Sequence, residues 1–325
     1  MSFDGCKTVV TEGDTVILFL TVNQVYAITA EKKTKNKNGD LVPYVFQTPY
    51  GALKGEQLIG KEFGTKILLS KGWGYILQPT PELWTVALRH RTQIIYTPDI
   101  SMITLQLELK PGSVVIESGT GSGSLSHALI RSVKPHGHLY TFDFHKERAD
   151  IARQEFQDHG LQEYVTVYNR DVCCNGFDEA LDGKVDAVFL DLPHPWLAIP
   201  HGVNSFKPEG GRLCSFSPCI EQVQKTCLKL REHHFQEIET LEVLQTQFSV
   251  QTRRLASLEM EYLKNPKEEN DGDNKCEKQI VSTLTAIPPL SQPGHTGYLT
   301  FATMPPIWAR SMKTIDDLDN DDNEN

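Results

Sequence analysis

The chain has 325 residues, a net charge of −10 and 39% hydrophobic residues. This length allows one large α/β domain with a smaller one, and the composition is that of an ordinary globular protein. No apolar run could cross a bilayer, and the N-terminus Met1–Gly5 lacks the features of a signal peptide, so we expect an intracellular protein without a membrane partner. The seven cysteines show no metal or disulfide spacing, which predicts reduced thiols and no metal site.

The negative charge is concentrated in two segments. Residues 316–325 hold six acidic residues and no basic one, and residues 259–278 hold seven acidic and four basic residues. Together they carry −9 of the net −10, so the remaining body is close to neutral. A neutral body does not exclude an RNA partner, but it also gives no basic surface that would hold RNA.

Residues 1–80 are predicted to form a small β domain. The runs Asp14–Leu20, Val22–Ile28 and Lys66–Leu69 are apolar and are separated by polar turns with glycine, as in hairpins. The basic stretch Lys32–Asp40 is interpreted as a hairpin tip or surface loop and not as an RNA-binding patch.

Residues 81–310 alternate between strands and short amphipathic helices. One helix is predicted to begin at Thr97-Pro98-Asp99, where a capping hydroxyl, a proline and an acid follow each other, and to end at Lys110–Gly112. Alternation of this kind predicts a doubly wound, mostly parallel sheet with ligands beyond the carboxyl ends of its strands. The predicted strands are 113–117, 138–142, 165–168, 185–190, 212–216, 235–244 and 295–302.

Two segments lack this alternating pattern. Residues 253–290 are polar and charged and are predicted to be a disordered insertion in the 81–310 domain. Residues 311–325 are predicted to be an acidic disordered tail for the same reason.

A glycine-rich loop, Glu117-Ser-Gly-Thr-Gly-Ser-Gly123, follows the first of these strands and opens a helix. Gly119, Gly121 and Gly123 allow a sharp turn and a close approach of the backbone to a ligand. The loop has neither the dinucleotide nor the phosphate-loop spacing. Glu117 would repel phosphate and suits a sulfonium, which favours S-adenosylmethionine. The alternative is a tight strand–helix turn in another α/β protein.

Acidic residues end four strands of the predicted sheet, at positions 117, 143, 171 and 191. Asp143 could accept hydrogen bonds from two ribose hydroxyls, or cap the helix near His145, or do both. Arg148 could hold Asp143 ionised or be a surface residue. Asp171 could accept from an adenine amine while Val172 packs on the ring, or be an ordinary turn residue.

The segment Asp191-Leu-Pro-His-Pro-Trp196 follows the apolar run Val185–Leu190. Prolines remove backbone donors, so nearby carbonyls can accept from a ligand, while Trp196 offers a stacking face and Asp191 a charged acceptor. This combination favours recognition of a flat ring that carries an amine. The alternative is a strand that ends in a rigid turn with Trp196 over the core.

With these motifs the chain resembles the catalytic subunit of the eukaryotic tRNA (adenine-58-N1)-methyltransferase. The resemblance implies a class I S-adenosylmethionine-dependent methyltransferase fold with a Rossmann-like, mostly parallel seven-stranded sheet behind a small N-terminal β-barrel. It also implies action on tRNA in the nucleus, in a two-plus-two heterotetramer with a homologous non-catalytic RNA-binding subunit. The strings that carry it are Pro79–Thr85, Arg91–Tyr96, Glu117–Gly123, Ser215–Val223 and His295–Thr303.

The resemblance implies that Asp191 is the catalytic residue. The cofactor-binding residues that it implies are Ile95, Ser122, Gly123, Ser124, Asp143, Arg148, Asp171 and Val172, and the loop itself adds Glu117, Gly119 and Gly121. Candidate substrate contacts are Gln93, Tyr96, Pro193 and Trp196. Asp143 stands where the family more often has glutamate. His194 stands where a small or acidic residue is usual, which leaves its role open.

Adenine N1 attacks with an in-plane lone pair, so no base is needed to create the nucleophile. Asp191 near the exocyclic N6 amine would stabilise the positive charge that develops on the ring, and the base must be unpaired or flipped out. A methyltransferase for protein carboxylates or small molecules would not need the acid–proline–tryptophan segment. A binding-only subunit is disfavoured by the intact glycines together with Asp143 and Asp191.

Overall fold

The computed structural model describes residues 3, 5–256, 280–291, 294 and 296–310. The described residues fall into two compact units: those up to Val243 together with those from Thr296 onward, and those between Val243 and Thr296. No helix among them is long and apolar enough to span a bilayer.

Residues 15–77 are built mainly from short antiparallel strands. The four-stranded sheet has the order β2-β1-β8-β7, and β3–β4 and β5–β6 form separate pairs, so the predicted closed barrel is not confirmed. Leu18, Leu53 and Ile76 are fully buried in a core of this region. The strands are β1 (Thr15–Thr21), β2 (Gln24–Thr29), β3 (Lys33–Lys35), β4 (Leu41–Pro43), β5 (Val45–Thr48), β6 (Gly51–Lys54), β7 (Lys66–Leu68) and β8 (Trp73–Leu77).

From residue 81 onward helices and strands alternate, as predicted. They are α1 (Pro81–Ala87), α2 (Thr97–Gln106), β9 (Val114–Ser118), α3 (Ser124–Val133), β10 (His138–Asp143), α4 (Lys146–Asp158), β11 (Val165–Asn169), α5 (Val172–Asn175), β12 (Ala187–Asp191), α6 (Pro195–Ser205), β13 (Gly211–Ser217), α7 (Ile220–Glu232), β14 (Gln236–Leu241), β15 (Ser249–Ala256), β16 (Ile280–Ile287), β17 (Tyr298–Met304) and α8 (Ile307–Arg310). Thr97 is the first residue of α2 and Tyr96 holds the N-cap position without a side-chain bond, so the predicted cap is wrong by one residue.

A seven-stranded sheet organises this region, in the order β11-β10-β9-β12-β13-β17-β14. The first five strands run parallel, and β17 runs antiparallel to both of its neighbours. The prediction of a mostly parallel seven-stranded sheet is therefore confirmed. Val115 and Ile116 are both fully buried but belong to different hydrophobic clusters, since successive side chains of β9 point to opposite faces.

The segment that we predicted to be disordered, residues 253–290, contains strand structure at both ends. Strands β15 and β16 pair antiparallel from Ser249↔Ile287 to Ala256↔Ile280. The prediction is wrong for these ends because the charge of the middle dominated the composition, whereas Val281, Thr283 and Thr285 give a β-branched alternation that favours a ladder. Residues 257–279 and the predicted tail 311–325 lie outside the described residues.

Candidate active site

The carboxyl ends of the central strands β9 and β12 open onto a small pocket. Its walls come from the glycine-rich loop, from residues 92–95 and from Phe189 on β12. The predicted site residues that line it are Gln93, Ile95, Glu117, Gly119, Gly121, Ser122, Gly123, Ser124 and Asp191. The structure therefore brings together the predicted catalytic residue and most of the predicted cofactor loop.

Two of the loop glycines have backbone conformations that other residues rarely adopt. Gly121 has φ +54°, and a Cβ on it would lie 2.9 Å from Thr92 Oγ1. Gly123 has φ +76° and is the N-cap residue of α3. Gly119 is less constrained, since a Cβ there would meet only ordinary contacts at 3.7 Å and beyond. The loop thus needs glycine at 121 and 123 to turn from β9 into α3.

The hydroxyls of Ser122 and Ser124 bind other parts of the protein. Ser122 Oγ accepts from the backbone N–H groups of Arg91 (2.9 Å) and Thr92 (3.1 Å). Ser124 Oγ donates to the Ile95 carbonyl at 2.9 Å. These bonds hold residues 91–95 against the loop. Residues 92–95 form one wall of the pocket. The predicted contact of both serines with a cofactor stays a prediction, and it would involve their backbone N–H groups.

Glu117 is buried beside the loop and has two hydroxyl partners. Its Oε2 accepts from Ser126 Oγ at 2.6 Å and from Thr141 Oγ1 at 2.7 Å. Burial raises the pKa of Glu117 to about 7 against the lowering effect of these bonds. A cation in the pocket would favour its ionised form, as we predicted for a sulfonium.

Asp143 ends β10 and is almost fully buried. Its Oδ1 accepts from Arg148 Nη2 at 2.9 Å and from the His145 backbone N–H at 2.8 Å, and its Oδ2 accepts from the Gly121 N–H at 3.2 Å. The predicted pairing with Arg148 is confirmed, and Asp143 stabilises the turn before α4, whose N-cap is His145. Binding of a ribose by Asp143 stays a prediction.

Asp171 follows β11, next to β10 in the sheet, and caps the short helix α5. Its Oδ1 accepts from the backbone N–H groups of Cys173 at 3.0 Å and Cys174 at 3.3 Å. Val172 is buried in the core. The turn role that we kept as an alternative for Asp171 is thus observed, and its contact with an adenine amine stays a prediction.

Asp191, the last residue of β12, differs from these carboxylates. Its backbone carbonyl accepts from the Gly119 N–H at 3.2 Å, which ties the strand end to the loop. Its side chain is half-buried, and within the described residues we find no hydrogen bond or ion pair to its carboxylate. Burial raises the pKa of Asp191 to about 6. Its carboxylate is therefore available to a ligand.

Two aromatic side chains follow Asp191: His194, the N-cap residue of α6, and Trp196 in the first turn of α6. Trp196 is half-buried, and its ring lies 5.0 Å from that of exposed His194 at an angle of 50°. Tyr96, the N-cap residue of α2, is 39% exposed. His194, whose role was open, packs on Trp196, and both the stacking role of Trp196 and its alternative as a cap over the core stay predictions. Pro193 is exposed.

A pair of buried histidines supports the loop and was not predicted. His127 Nδ1 lies 2.6 Å from the Gly123 carbonyl oxygen, and His127 Nε2 lies 2.8 Å from His159 Nδ1. Burial lowers the pKa of His127 to about 4 and that of His159 to about 2, so both are neutral at pH 7. The four-residue spacing of Gly123 and His127 could have indicated the first contact. Nothing in the sequence indicates the second.

Comparison with known proteins identifies the family. Residues 72–304 match the family described as "tRNA methyltransferase complex GCD14 subunit". The chain belongs to this family. The tRNA (adenine(58)-N(1))-methyltransferase catalytic subunit of Dictyostelium discoideum is 42% identical over 313 residues, covering 90% of this chain and 96% of that one. The subunit of the same name from Kluyveromyces lactis is 39% identical over 305 residues, covering 85% and 72%.

Solved structures agree on the fold of this family member. An S-adenosylmethionine-dependent O-methyltransferase from Thermotoga maritima has a TM-score of 0.70 and 29% identity and covers 92% of this chain and 95% of its own. The tRNA (m1A58) methyltransferase TrmI from Aquifex aeolicus has a TM-score of 0.65 and 23% identity, covering 94% and 100%. The predicted family, methyltransferase fold and cofactor, S-adenosylmethionine, are confirmed.

The pocket fits this cofactor in chemical terms. It combines a positive-φ glycine loop at the start of the ten-residue helix α3 with an acid, Glu117, whose charged form a sulfonium would favour. Ile95, Leu125 and Phe189 give it an apolar wall. Among the described residues no cluster of His, Cys, Asp and Glu could hold a metal ion, and the absence of a metal stays a prediction.

Proposed function

We propose that this chain is the catalytic subunit of a tRNA (adenine(58)-N(1))-methyltransferase. The curated relatives that cover most of its length carry that name. The observation that carries the proposal is the Asp191 carboxylate, which borders the pocket, has no partner among the described residues and lies five residues before the half-buried Trp196. A scaffold residue at such a position would be expected to be paired.

When bound, S-adenosylmethionine supplies a methyl group on a positively charged sulfur. The glycine loop and Asp143 would hold it, with Asp143 accepting from ribose hydroxyls and Asp171 and Val172 contacting the adenine end. Arg148 forms an ion pair with Asp143 at 2.9 Å and holds this carboxylate in place. Ser122 and Ser124 contribute by holding residues 91–95 in place.

Asp191 would act on the acceptor adenine. It accepts a hydrogen bond from the exocyclic N6 amine, and its negative charge stabilises the positive charge that develops on the ring as N1 attacks. With a pKa of about 6, Asp191 is mostly ionised at pH 7 and is also basic enough to receive the N6 proton.

The acceptor base must reach Asp191 with its pairing edge free. A flipped adenine could stack on Trp196 or Tyr96, both partly exposed, and Gln93, which lines the pocket, and the exposed Pro193 are further candidate contacts. Because phosphate contacts dominate RNA affinity and the chain is acidic overall, we propose that much of the tRNA is held by a homologous non-catalytic subunit in a nuclear heterotetramer.

The proposal is tested by methyl transfer to unmodified tRNA, with and without that subunit, mapped by reverse-transcription stops. We expect a stop at adenine 58 with the complex and none with Asp191→Ala, although this variant still binds S-adenosylmethionine in calorimetry. The matched control is Asp182→Ala, which removes an exposed carboxylate in the loop before β12. Methylation of another atom, or full activity of Asp191→Ala, would refute the proposal.

A further inference from the structure

Helix α7 makes one contact to the turn after Asp191 and one to Trp196 in the first turn of α6. Gln222 Nε2 donates to the Pro193 carbonyl at 2.9 Å. Lys225 Nζ lies 4.9 Å from the centre of the Trp196 ring. Residues 222 and 225 are three apart and share one face of α7. We call these two side chains the α7 brace.

Both the oxygen and the nitrogen of the Gln222 side-chain amide form hydrogen bonds. Its Oε1 accepts from the Cys219 backbone N–H at 3.2 Å and so caps the start of α7. Its Nε2 is thereby directed to the Pro193 carbonyl. A glutamate at this position could keep the first bond as an acceptor, but an ionised carboxylate has no proton to donate to the second.

Pro193 is a suitable point at which to hold the turn. It lies two residues after Asp191 and has no N–H, so its carbonyl is its only backbone group for hydrogen bonding. The turn is otherwise exposed at Pro193 and His194. A catalytic carboxylate needs to be placed within a fraction of an ångström, so a bond that holds the turn affects the rate.

We propose that Gln222 is a positioning residue for Asp191 and that Lys225 positions the ring of Trp196 for the acceptor base. The proposal rests on the proposed function, since it takes Asp191 and Trp196 as the groups that meet adenine. Gln222 itself touches no substrate in this account. It acts through the Pro193 carbonyl, and Lys225 acts through the face of the indole.

The test compares Gln222→Glu with Gln224→Glu in the complete complex. Both make the same chemical change on α7, but Gln224 is exposed. For Gln222→Glu we expect kcat to fall between about 10- and 100-fold, with the KM for S-adenosylmethionine and the melting temperature unchanged because the cap is kept. The uncharged variant Gln222→Met should show the same loss of kcat, which excludes a purely electrostatic effect.

Lys225 gives a smaller and different effect. Lys225→Met should raise the KM for tRNA by about threefold, and Lys225→Arg should restore it, because either cation can lie over the indole. A kcat of Gln222→Glu within twofold of Gln224→Glu would overturn the brace. So would a loss that appears equally in cofactor KM and melting temperature, which is the signature of a structural role alone.

Asp191→Ala, measured in parallel, separates the two proposals. If Asp191→Ala is inactive and Gln222→Glu is fully active, the α7 brace is wrong and the proposed function stands. If Asp191→Ala is fully active, both proposals fall, whatever the Gln222 variants show.

Discussion

The same edge of the sheet holds two aspartates in opposite circumstances. Asp143, at the end of β10, is almost fully buried and bonded to Arg148, to the turn before α4 and to the glycine loop. Asp191, at the end of β12, is half-buried with no side-chain partner among the described residues. The proposed cofactor end is thus part of the scaffold, whereas the carboxylate at the proposed acceptor end has no partner among the described residues.

The largest expected effect is a change in the KM for S-adenosylmethionine when Asp143, at the end of β10, is replaced. Asp143→Ala should raise the KM for S-adenosylmethionine by about 100-fold or more, because it removes a proposed ribose contact and leaves Arg148 and the Gly121 N–H without their acceptor. The rate at saturating cofactor should change much less. Initial rates over a range of cofactor concentrations measure this. Asp150→Ala, which removes an exposed carboxylate of α4, is the control.

A second difference concerns stability. The pKa of Asp191 in the folded protein, about 6, lies above its unfolded value of 3.8, so its ionisation destabilises the fold as pH rises from about 4 to 6 and the loss persists at pH 7. Asp191→Asn should therefore increase the free energy of unfolding at pH 7 by about 2 kcal/mol. Asp143→Asn should lower it by about 1–3 kcal/mol, since Arg148 loses its charged partner.

Urea denaturation of both variants at pH 7 measures these changes. A second series at pH 4 should show the Asp191→Asn gain greatly reduced, because the wild-type carboxyl is then mostly protonated in the folded state. If both variants change the free energy of unfolding in the same direction at pH 7, the proposed difference between Asp143 and Asp191 is wrong.

The rate of methyl transfer and the binding of the cofactor should also respond differently to pH. The rate at saturating cofactor should fall about tenfold between pH 7 and pH 5, because Asp191 loses its charge below a pKa of about 6. The KM for S-adenosylmethionine should begin to rise already below pH 7, where Glu117 becomes protonated and no longer attracts the sulfonium. A profile in which both quantities change at the same pH would contradict this assignment.

The smallest effect concerns the buried histidines behind the glycine loop. The pKa values of His127 and His159 lie below 6.5 in the folded protein, so the unfolded chain binds protons first and stability is lost as pH falls below 6.5. Replacing His159 by phenylalanine should remove about 1 kcal/mol of this loss between pH 7 and pH 5.5. Urea midpoints at the two pH values check this. An equal loss of stability between pH 7 and pH 5.5 in the variant and the wild type would contradict it.

The sequence was sufficient for the parts of the site that follow from local pattern. Periodicity and the parallel-sheet rule placed Glu117, Asp143 and Asp191 at one edge, and the glycine spacing indicated the turn at residues 119–123. The pairing of Arg148 with Asp143 was also accessible, since a strand end and the first turn of the next helix are neighbours.

Contacts between distant segments could not be predicted. The hydroxyls of Ser122 and Ser124 bind backbone about 30 residues away, and Gln222 reaches Pro193 across 29 residues. Such contacts depend on packing and leave no periodic signal. Composition misled us at residues 253–290, where acidic residues in the middle concealed the strand pattern at the ends.

The most direct test of the account is the single-turnover rate of Asp191→Asn on tRNA, in the complex with the partner subunit and at saturating S-adenosylmethionine. Asparagine keeps the size of the side chain, removes the charge and replaces one acceptor oxygen with an amide donor. We expect the rate of methylation at adenine 58 to fall by about 100-fold or more, with an unchanged Kd for the cofactor. A rate within threefold of the wild type would show that the charge of Asp191 does not drive the reaction.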